Sequence, residues 1–288
     1  MSWAQKELSI EELKRKANEL RAEVLKMVYE ADSGHPGGAL GMADVMVVLH
    51  YRFLRDDPRN PTWPERDRFL LSNGHTCPIL YAILADKGYF PKDELKRFRR
   101  LGALLQGHPS TARGTPGVEL SSGSLGNGLS VAAGMAFAAK LDRASYRIYC
   151  SISDAECQEG QTWEAALFAR QHRLDNLIAI LDRNYSQIDG NTEEILGLDP
   201  LAEKWRAFGW RTWEIDGHDY EQIIAAFEEA IAEERGQPKI IICRNVIGKG
   251  VSFMEGDYRW HHGAPTREQL EQALQELGVG VGAGAEAK

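Results

Sequence analysis

Residues 153–160, SDAECQEG, place one carboxylate, Asp154, between two small residues. An apolar β-branched run, RIYCSI (147–152), precedes it, and a helical pattern, QTWEAALFARQH, follows, so Asp154 falls at a strand-to-helix turn. Asn184 comes thirty residues later, just after a second such run, LIAILD (177–182). If the two strands are neighbours in a parallel sheet, both oxygen-bearing side chains converge at its carboxyl edge, where such sheets bind ligands. Hard oxygens suit Mg²⁺, which takes few protein ligands and completes its octahedron with water and phosphate oxygens. A helix starting near residue 156 would add N–H groups facing an anion. A magnesium–diphosphate site is one reading. A helix cap and a turn residue is the other, and on Asp154 and Asn184 alone it is the stronger.

The histidines add a second set. His35, His75, His108 and His262 each lie in a loop containing Gly or Pro, where a rigid scaffold often places reactive groups. Imidazole titrates near neutrality and can both take and give a proton. His261 rivals His262, but the HGAP frame favours His262. His50 reads as structural, and His172 and His218 receive no role.

These residues need a scaffold, and the sequence describes one. Ser9 and Glu12 form a capping box ahead of a helix whose apolar positions are Leu13, Ala17, Leu20, Val24 and Met27. That helix should stop before DSGHPGG (32–38). MADVMVVLHYRFL (42–54) reads as a buried helix, 58–67 as a loop, and FLLSNGH (69–75) as a short strand entering a turn. The glycine-rich stretch 102–128 reads as a long functional loop, and 128–141 as a helix of small residues. Strands over 147–152, 177–182, 211–216 and 239–245 then alternate with helices near 159–172, 198–208 and 219–234. The fold class is α/β, a parallel β-sheet with helices on both faces. Residues 278–288 form a Gly/Ala-rich tail expected to be disordered.

Composition narrows the function classes. A net charge of −8 without a basic block argues against nucleic acid or an anionic membrane as partner. The four cysteines form no CxxC pair and read as reduced thiols of a cytoplasmic protein. The charged start MSWAQKELSIEEL has no apolar core of a signal peptide, and no stretch is long enough to span a bilayer. GSLGNG (123–128) lacks dinucleotide-binding spacing, and IGKGVS (247–252) lacks the first glycine of a P-loop.

SDAECQEG followed by RNYSQIDG resembles the thiamine-diphosphate motif of the transketolase family, which opens Gly-Asp-Gly and closes with Asn at a similar spacing. SGHPGG (33–38), LSNGH (71–75), QGHP (106–109), GVELSSGSLGNGLSVAAGMA (117–136) and HHGAP (261–265) look like transketolase segments in the family order. The resemblance covers almost the whole chain. It implies a PP-type thiamine-diphosphate-binding domain over residues 1–277, with Mg²⁺ (or Ca²⁺ or Mn²⁺) held by Asp154, Asn184 and the Ser186 carbonyl. It puts Leu125 and Ile188 on the thiazolium and Gly123 near the aminopyrimidine, with Ala155 in the motif turn. By the same resemblance His262 and His75 lie near the diphosphate and the reacting hydroxyls, and His35 and His108 orient the sugar. Glu159, and with less weight Glu164, would join a carboxylate network at the interface with a second protomer. Ser153 and Ala155 replace the usual flanking glycines, and Tyr185 stands where glycine is frequent, so cofactor affinity is the property these departures touch.

Such enzymes need a second domain that binds the aminopyrimidine and supplies an activating glutamate, and no segment remains for it after Pro265. The expectation is therefore the N-terminal subunit of a split transketolase, inactive alone. With a C-terminal, pyrimidine-binding subunit it would form an α₂β₂ heterotetramer that acts on sugar phosphates, as in the pentose phosphate pathway. The alternatives are a deoxyxylulose-phosphate synthase-like half, the α subunit of a 2-oxo acid dehydrogenase, or a non-catalytic partner-binding homologue. ECQEG and HHGAP fit transketolase better than the two enzymes, and the retained Asp154, Asn184 and histidines oppose the last.

Overall fold

The computed structural model describes residues 8–233 and 235–280. Among the described residues the strands are β1 (Arg68–Leu71), β2 (Ile148–Ser153), β3 (Leu177–Arg183), β4 (Ser186–Gln187), β5 (Gly190–Asn191), β6 (Arg211–Asp216) and β7 (Lys239–Arg244). The α-helices are α1 (Ile10–Ala31), α2 (Pro36–Gly41), α3 (Ala43–Val48), α4 (Cys77–Lys87), α5 (Asn127–Leu141), α6 (Gly160–Gln171), α7 (Thr192–Leu196), α8 (Leu201–Ala207), α9 (Tyr220–Ala232) and α10 (Arg267–Glu276). Five strands form one sheet in the order β1-β2-β3-β7-β6, every neighbouring pair parallel. β4 and β5 make a small antiparallel hairpin beside it.

Period-two alternation divides the sheet side chains between two cores. Tyr149, Ile178, Ile180, Ile241 and Cys243 face one way and pack with α1, α3, α4, α9 and α10. Ile148, Cys150, Leu177, Ala179, Leu181, Ile240 and Ile242 face the other, against α5, α6 and α8. On that side Ala132, Ala133 and Ala136 of α5 meet Ala165, Ala166 and Ala169 of α6, small residues that let helices approach closely. This is the α/β architecture with both faces covered that the strand–helix alternation implied.

Some local expectations are corrected. The capping box at Ser9 and Glu12 is present, and α1 ends at Ala31, just before DSGHPGG as expected; past that stop, PGG starts a further helix, α2, where a loop was expected. Proline is tolerated at a first helical position, and Gly37 is demanded by packing. A Cβ on Gly37 would lie 2.7 Å from the Trp260 carbonyl oxygen and 2.6 Å from Ile247. The segment 42–54 is not one α-helix but α3 followed by a π-helical turn, Leu49–Phe53. The helix placed near residue 156 is a 3₁₀ turn, Ala155–Gln158, and α6 begins only at Gly160. The expected disordered tail lies outside the described residues from 281 onward, as do the first seven residues of the chain. Among the described residues no helix is long and apolar enough to cross a membrane.

Candidate active site

The strands of a parallel sheet end on one side, and the chemistry-bearing residues stand just beyond those ends. Asp154 follows β2 and is 1% exposed. Its Oδ1 accepts the Ala155 N–H at 2.8 Å, while Oδ2 accepts the Tyr185 N–H at 2.8 Å and Arg183 Nη1 at 3.3 Å. The bond from Tyr185 crosses from the end of β3 to the end of β2, so Asp154 and Asn184 share one corner. Burial pushes the Asp154 carboxyl up to about 6, with the Arg183 guanidinium opposing. Asn184 is fixed at both ends of its amide, Nδ2 donating to Asp182 at 2.8 Å and Oδ1 accepting the Ser186 N–H at 2.9 Å. Asp182 is in turn held by Asn245 Nδ2 at 2.7 Å, just past β7, and burial pushes it up to about 7.

Among the described residues no three His, Cys, Asp or Glu side chains gather as a metal centre. The set available is one carboxylate, one oriented amide and the backbone around Ser186. That set fits an ion that completes its shell with phosphate and water.

Tyr185 has φ 59°, the left-handed conformation that glycine adopts most easily. A non-glycine residue there costs on the order of 1 kcal/mol. The Arg183 guanidinium lies 4.0 Å from the Tyr185 ring centroid, a cation–π contact that offsets part of that strain. Arg183 also donates to Thr192 Oγ1 at 3.0 Å, Glu193 at 2.6 Å and Asp199 at 3.0 Å, anchoring α7 to this corner.

Five histidines, not four, converge. The His35 ring centroid is 5.5 Å from His75, 5.7 Å from His108, 5.5 Å from His261 and 4.8 Å from His262. His261 lies 4.9 Å from His75 in a tilted stack, so the HGAP frame does not exclude it. His35 N-caps α2 and His75 rides a 3₁₀ turn, Gly74–Thr76. Two backbone bonds lock the remaining loops on: Gly263 N–H to Gly34 O and Gly248 N–H to Gly37 O, both 2.9 Å. The Tyr258–His261 turn packs against both α2 and the β4–β5 hairpin, which joins the histidines to the Asn184–Ser186 segment. Burial, reinforced by the neighbouring imidazoles, lowers His35 to about 2 and His75 to about 3. Both are neutral at physiological pH and can act as donor or acceptor. Among the described residues His35 Nδ1, which is buried, has no hydrogen-bond partner.

The glycine-rich loop closes the site. Gly123 has φ 138° and lies against His108, where a Cβ would meet the ring at 2.9 Å. Leu125 is half-buried, whereas Ile188, on the hairpin, is 70% exposed. Glu159 and Glu164 are exposed, and the Glu159 stem packs beside Gly126.

Sequence reasoning passes over Arg183, Asp182, Glu156 and Arg99 because their partners are distant in the chain. Arg99 neighbours His108 and, after burial, helps lower its pKa, and its buried Nη1 has no hydrogen-bond partner among the described residues. His218, given no role, accepts the Val246 N–H at 2.9 Å through Nε2, which leaves Nδ1 to donate to Asp44 at 2.8 Å. It ties the 246–248 loop to α3.

Residues 13–282 match the family described as transketolase, thiamine diphosphate binding domain. One relative, a 6-deoxy-6-sulfo-D-fructose transketolase subunit of Clostridium sp. (strain MSTE9), is 46% identical over 266 residues, 92% of this chain and 96% of that protein. An apulose-4-phosphate transketolase subunit of Phocaeicola vulgatus is 41% identical over 94% of this chain and 95% of that protein. The transketolase structure from Campylobacter jejuni superposes with a TM-score of 0.89 at 37% identity, covering 94% of this chain and 43% of that one. Fold, order of motifs and relatives agree, and the chain belongs to the transketolase family, as its thiamine-diphosphate-binding part.

Proposed function

We propose that this chain is the N-terminal subunit of a split transketolase, which transfers a two-carbon ketol unit from a ketose phosphate to an aldose phosphate together with a C-terminal, pyrimidine-binding subunit. The observation that carries this reading is the near full-length match, in both directions, to proteins named as transketolase subunits. Residues 1–277 act as one diphosphate- and magnesium-binding unit. Asp154, Asn184 and the Ser186 carbonyl hold Mg²⁺, and Ca²⁺ or Mn²⁺ can replace it. His75, Gly123, Leu125, Ala155, Glu159, Ile188 and His262 complete the thiamine-diphosphate cradle.

The cofactor, when bound, supplies the electron sink for breaking the carbon–carbon bond beside the donor ketone. The chain's residues bind, orient and move protons. A neutral histidine takes the proton from the donor hydroxyl as the bond breaks and returns one to the acceptor aldehyde oxygen. His75 and His262 are assigned that work, and His35 and His108 orient the sugar. The unpartnered Nδ1 of His35 supports this, because a buried polar atom calls for a hydrogen-bonding ligand. The unpartnered guanidinium nitrogen of Arg99 offers its charge to an anionic tail.

Exposed apolar residues support a partner. Val131 and Leu141 on α5, with Leu167 and Phe168 on α6, leave a face that a second protein would cover, with Glu164 in it. Ile188, Ile195 and Leu196 do the same beside the cofactor corner. The assembly is an α₂β₂ heterotetramer of the cytoplasm, consistent with four buried free thiols among the described residues. The experiment is a ketol-transfer assay with the chain alone and with its C-terminal partner. Activity appears only in the mixture, and His75→Ala or His262→Ala lowers kcat/KM about 10²–10⁴-fold. Full transfer by the chain alone contradicts the split-enzyme reading.

A further inference from the structure

Glu156, two residues past Asp154, is fully buried, and among the described residues every hydrogen-bond partner of its carboxylate is a donor. Its Oε1 takes the Ser72 hydroxyl and the Gly126 N–H (3.0 Å); its Oε2 takes the Ser153 N–H (2.8 Å) and hydroxyl (3.3 Å). Ser72 Oγ accepts the Gly128 N–H at 3.0 Å, so its own hydrogen is committed to Glu156. The Glu156 carbonyl accepts the Thr162 hydroxyl at 2.6 Å, which roots the turn in α6. Three chain segments therefore meet on one side chain: the Ser72–His75 turn after β1, the Ser153–Asp154 turn after β2, and the 123–128 loop that enters α5. Gly126 is the N-cap of α5 in a left-handed conformation, φ 85°, and carries no side chain to cap the helix. The carboxylate does that capping from across the site, where the helix dipole also favours a negative charge.

We infer that Glu156 is a positioning residue, whose carboxylate clamps the glycine-rich loop between the histidine turn and the metal-side turn and so sets the cofactor cradle before the cofactor arrives. This rests on the proposed thiamine-diphosphate site. The carboxylate form is needed, because every partner is a donor and an amide would turn its NH₂ toward a backbone N–H and a hydroxyl, whichever oxygen it replaced. A charged acceptor with four donors is also worth more than neutral pairs would be.

Glu156→Gln and Ser72→Ala in the full chain test it by two readouts. Hydrogen exchange of the 122–129 segment, referenced to β3, is expected to rise about tenfold or more in Glu156→Gln, by loss of charge-assisted bonds. The apparent Kd for thiamine diphosphate with Mg²⁺, measured with the C-terminal partner present, is expected to rise by a similar factor, while saturating cofactor restores most of kcat. Ser72→Ala removes one arm and moves both readouts the same way by a smaller factor; it decides the matter if Glu156→Gln does not fold. Unchanged exchange at 122–129, or a uniform loss of stability with unchanged cofactor affinity, overturns the inference. If the wild-type chain binds no cofactor, the proposed function fails, and the exchange readout alone still judges whether Glu156 clamps the loop.

Discussion

Gly74 is the point where the histidine turn touches the glycine-rich loop, and replacing it isolates that contact. A Cβ built there lies 2.5 Å from Ser122 Oγ and 2.9 Å from both the Gly123 nitrogen and the Ser122 carbonyl carbon. The serine oxygen can swing away, but the two backbone atoms cannot move without carrying Gly123 off the His108 ring. Gly74 itself has no positive φ, so Gly74→Ala tests packing without backbone strain. Forcing one methyl into such a contact costs about 1–3 kcal/mol. Gly134, on the exposed side of α5, is the control, since a Cβ there meets nothing within 4 Å among the described residues. Removing a mid-helix glycine stabilises by about 0.5–1 kcal/mol. The two Gly→Ala changes should therefore differ in sign, and by about 1.5–4 kcal/mol in total. Urea unfolding followed by tryptophan fluorescence reads this directly, and Gly74→Ala should also weaken thiamine diphosphate binding. Two variants of equal stability would show that Gly74 and Ser122 do not pack at this distance.

Two further expectations concern charge. Asp44 takes Arg21 Nη2 at 2.6 Å and the Tyr220 hydroxyl at 2.6 Å, with Arg21 only 3% exposed. Asp44→Asn leaves that guanidinium buried without its counter-charge, and calorimetric unfolding should show a loss of about 3–5 kcal/mol; a loss below about 1 kcal/mol would mean the pair is hydrated. His75 is held near 3 by burial and its neighbours, so between about pH 6.5 and 3 the unfolded chain binds this proton and the native chain does not. Stability from this group is complete above about pH 6.5 and is lost as pH falls, by at most about 1.4 kcal/mol per pH unit. The stability gap between wild type and His75→Gln, measured by urea unfolding at about pH 7 and pH 5, should thus shift against the wild type at the lower pH. A gap independent of pH would contradict the assigned burial.

Most of the sheet was legible because β2, β3, β6 and β7 are short runs rich in β-branched residues with helical patterns between them. Asp154 and Asn184 were legible for the same reason, as polar residues immediately past apolar runs, and adjacency of β2 and β3 brings them together. What stayed hidden depends on distant partners. Glu156 looks like a helix residue until Ser72 and Gly126 are beside it. His218 looks like a turn residue, but Asp44 and Val246 fix its ring. Arg183 fills a position next to Asn184 with a cation that no local pattern announces. The stop of α1 before DSGHPGG was legible, but not that PGG starts α2, because its glycines answer to Ile247, Trp260 and Thr76, from segments far along the chain. His261 falls outside the HGAP frame, although folding places both histidines against His35.

A magnesium–thiamine diphosphate site at the Asp154–Asn184 corner, completed by a second protein chain, is the central claim. Calorimetric titration of thiamine diphosphate and Mg²⁺ into the chain, alone and mixed with its pyrimidine-binding partner, tests it most directly. Saturable binding in the mixture, abolished by Asp154→Ala in a folded chain, is the predicted result. Binding that survives Asp154→Ala, or no binding in the mixture, would contradict it.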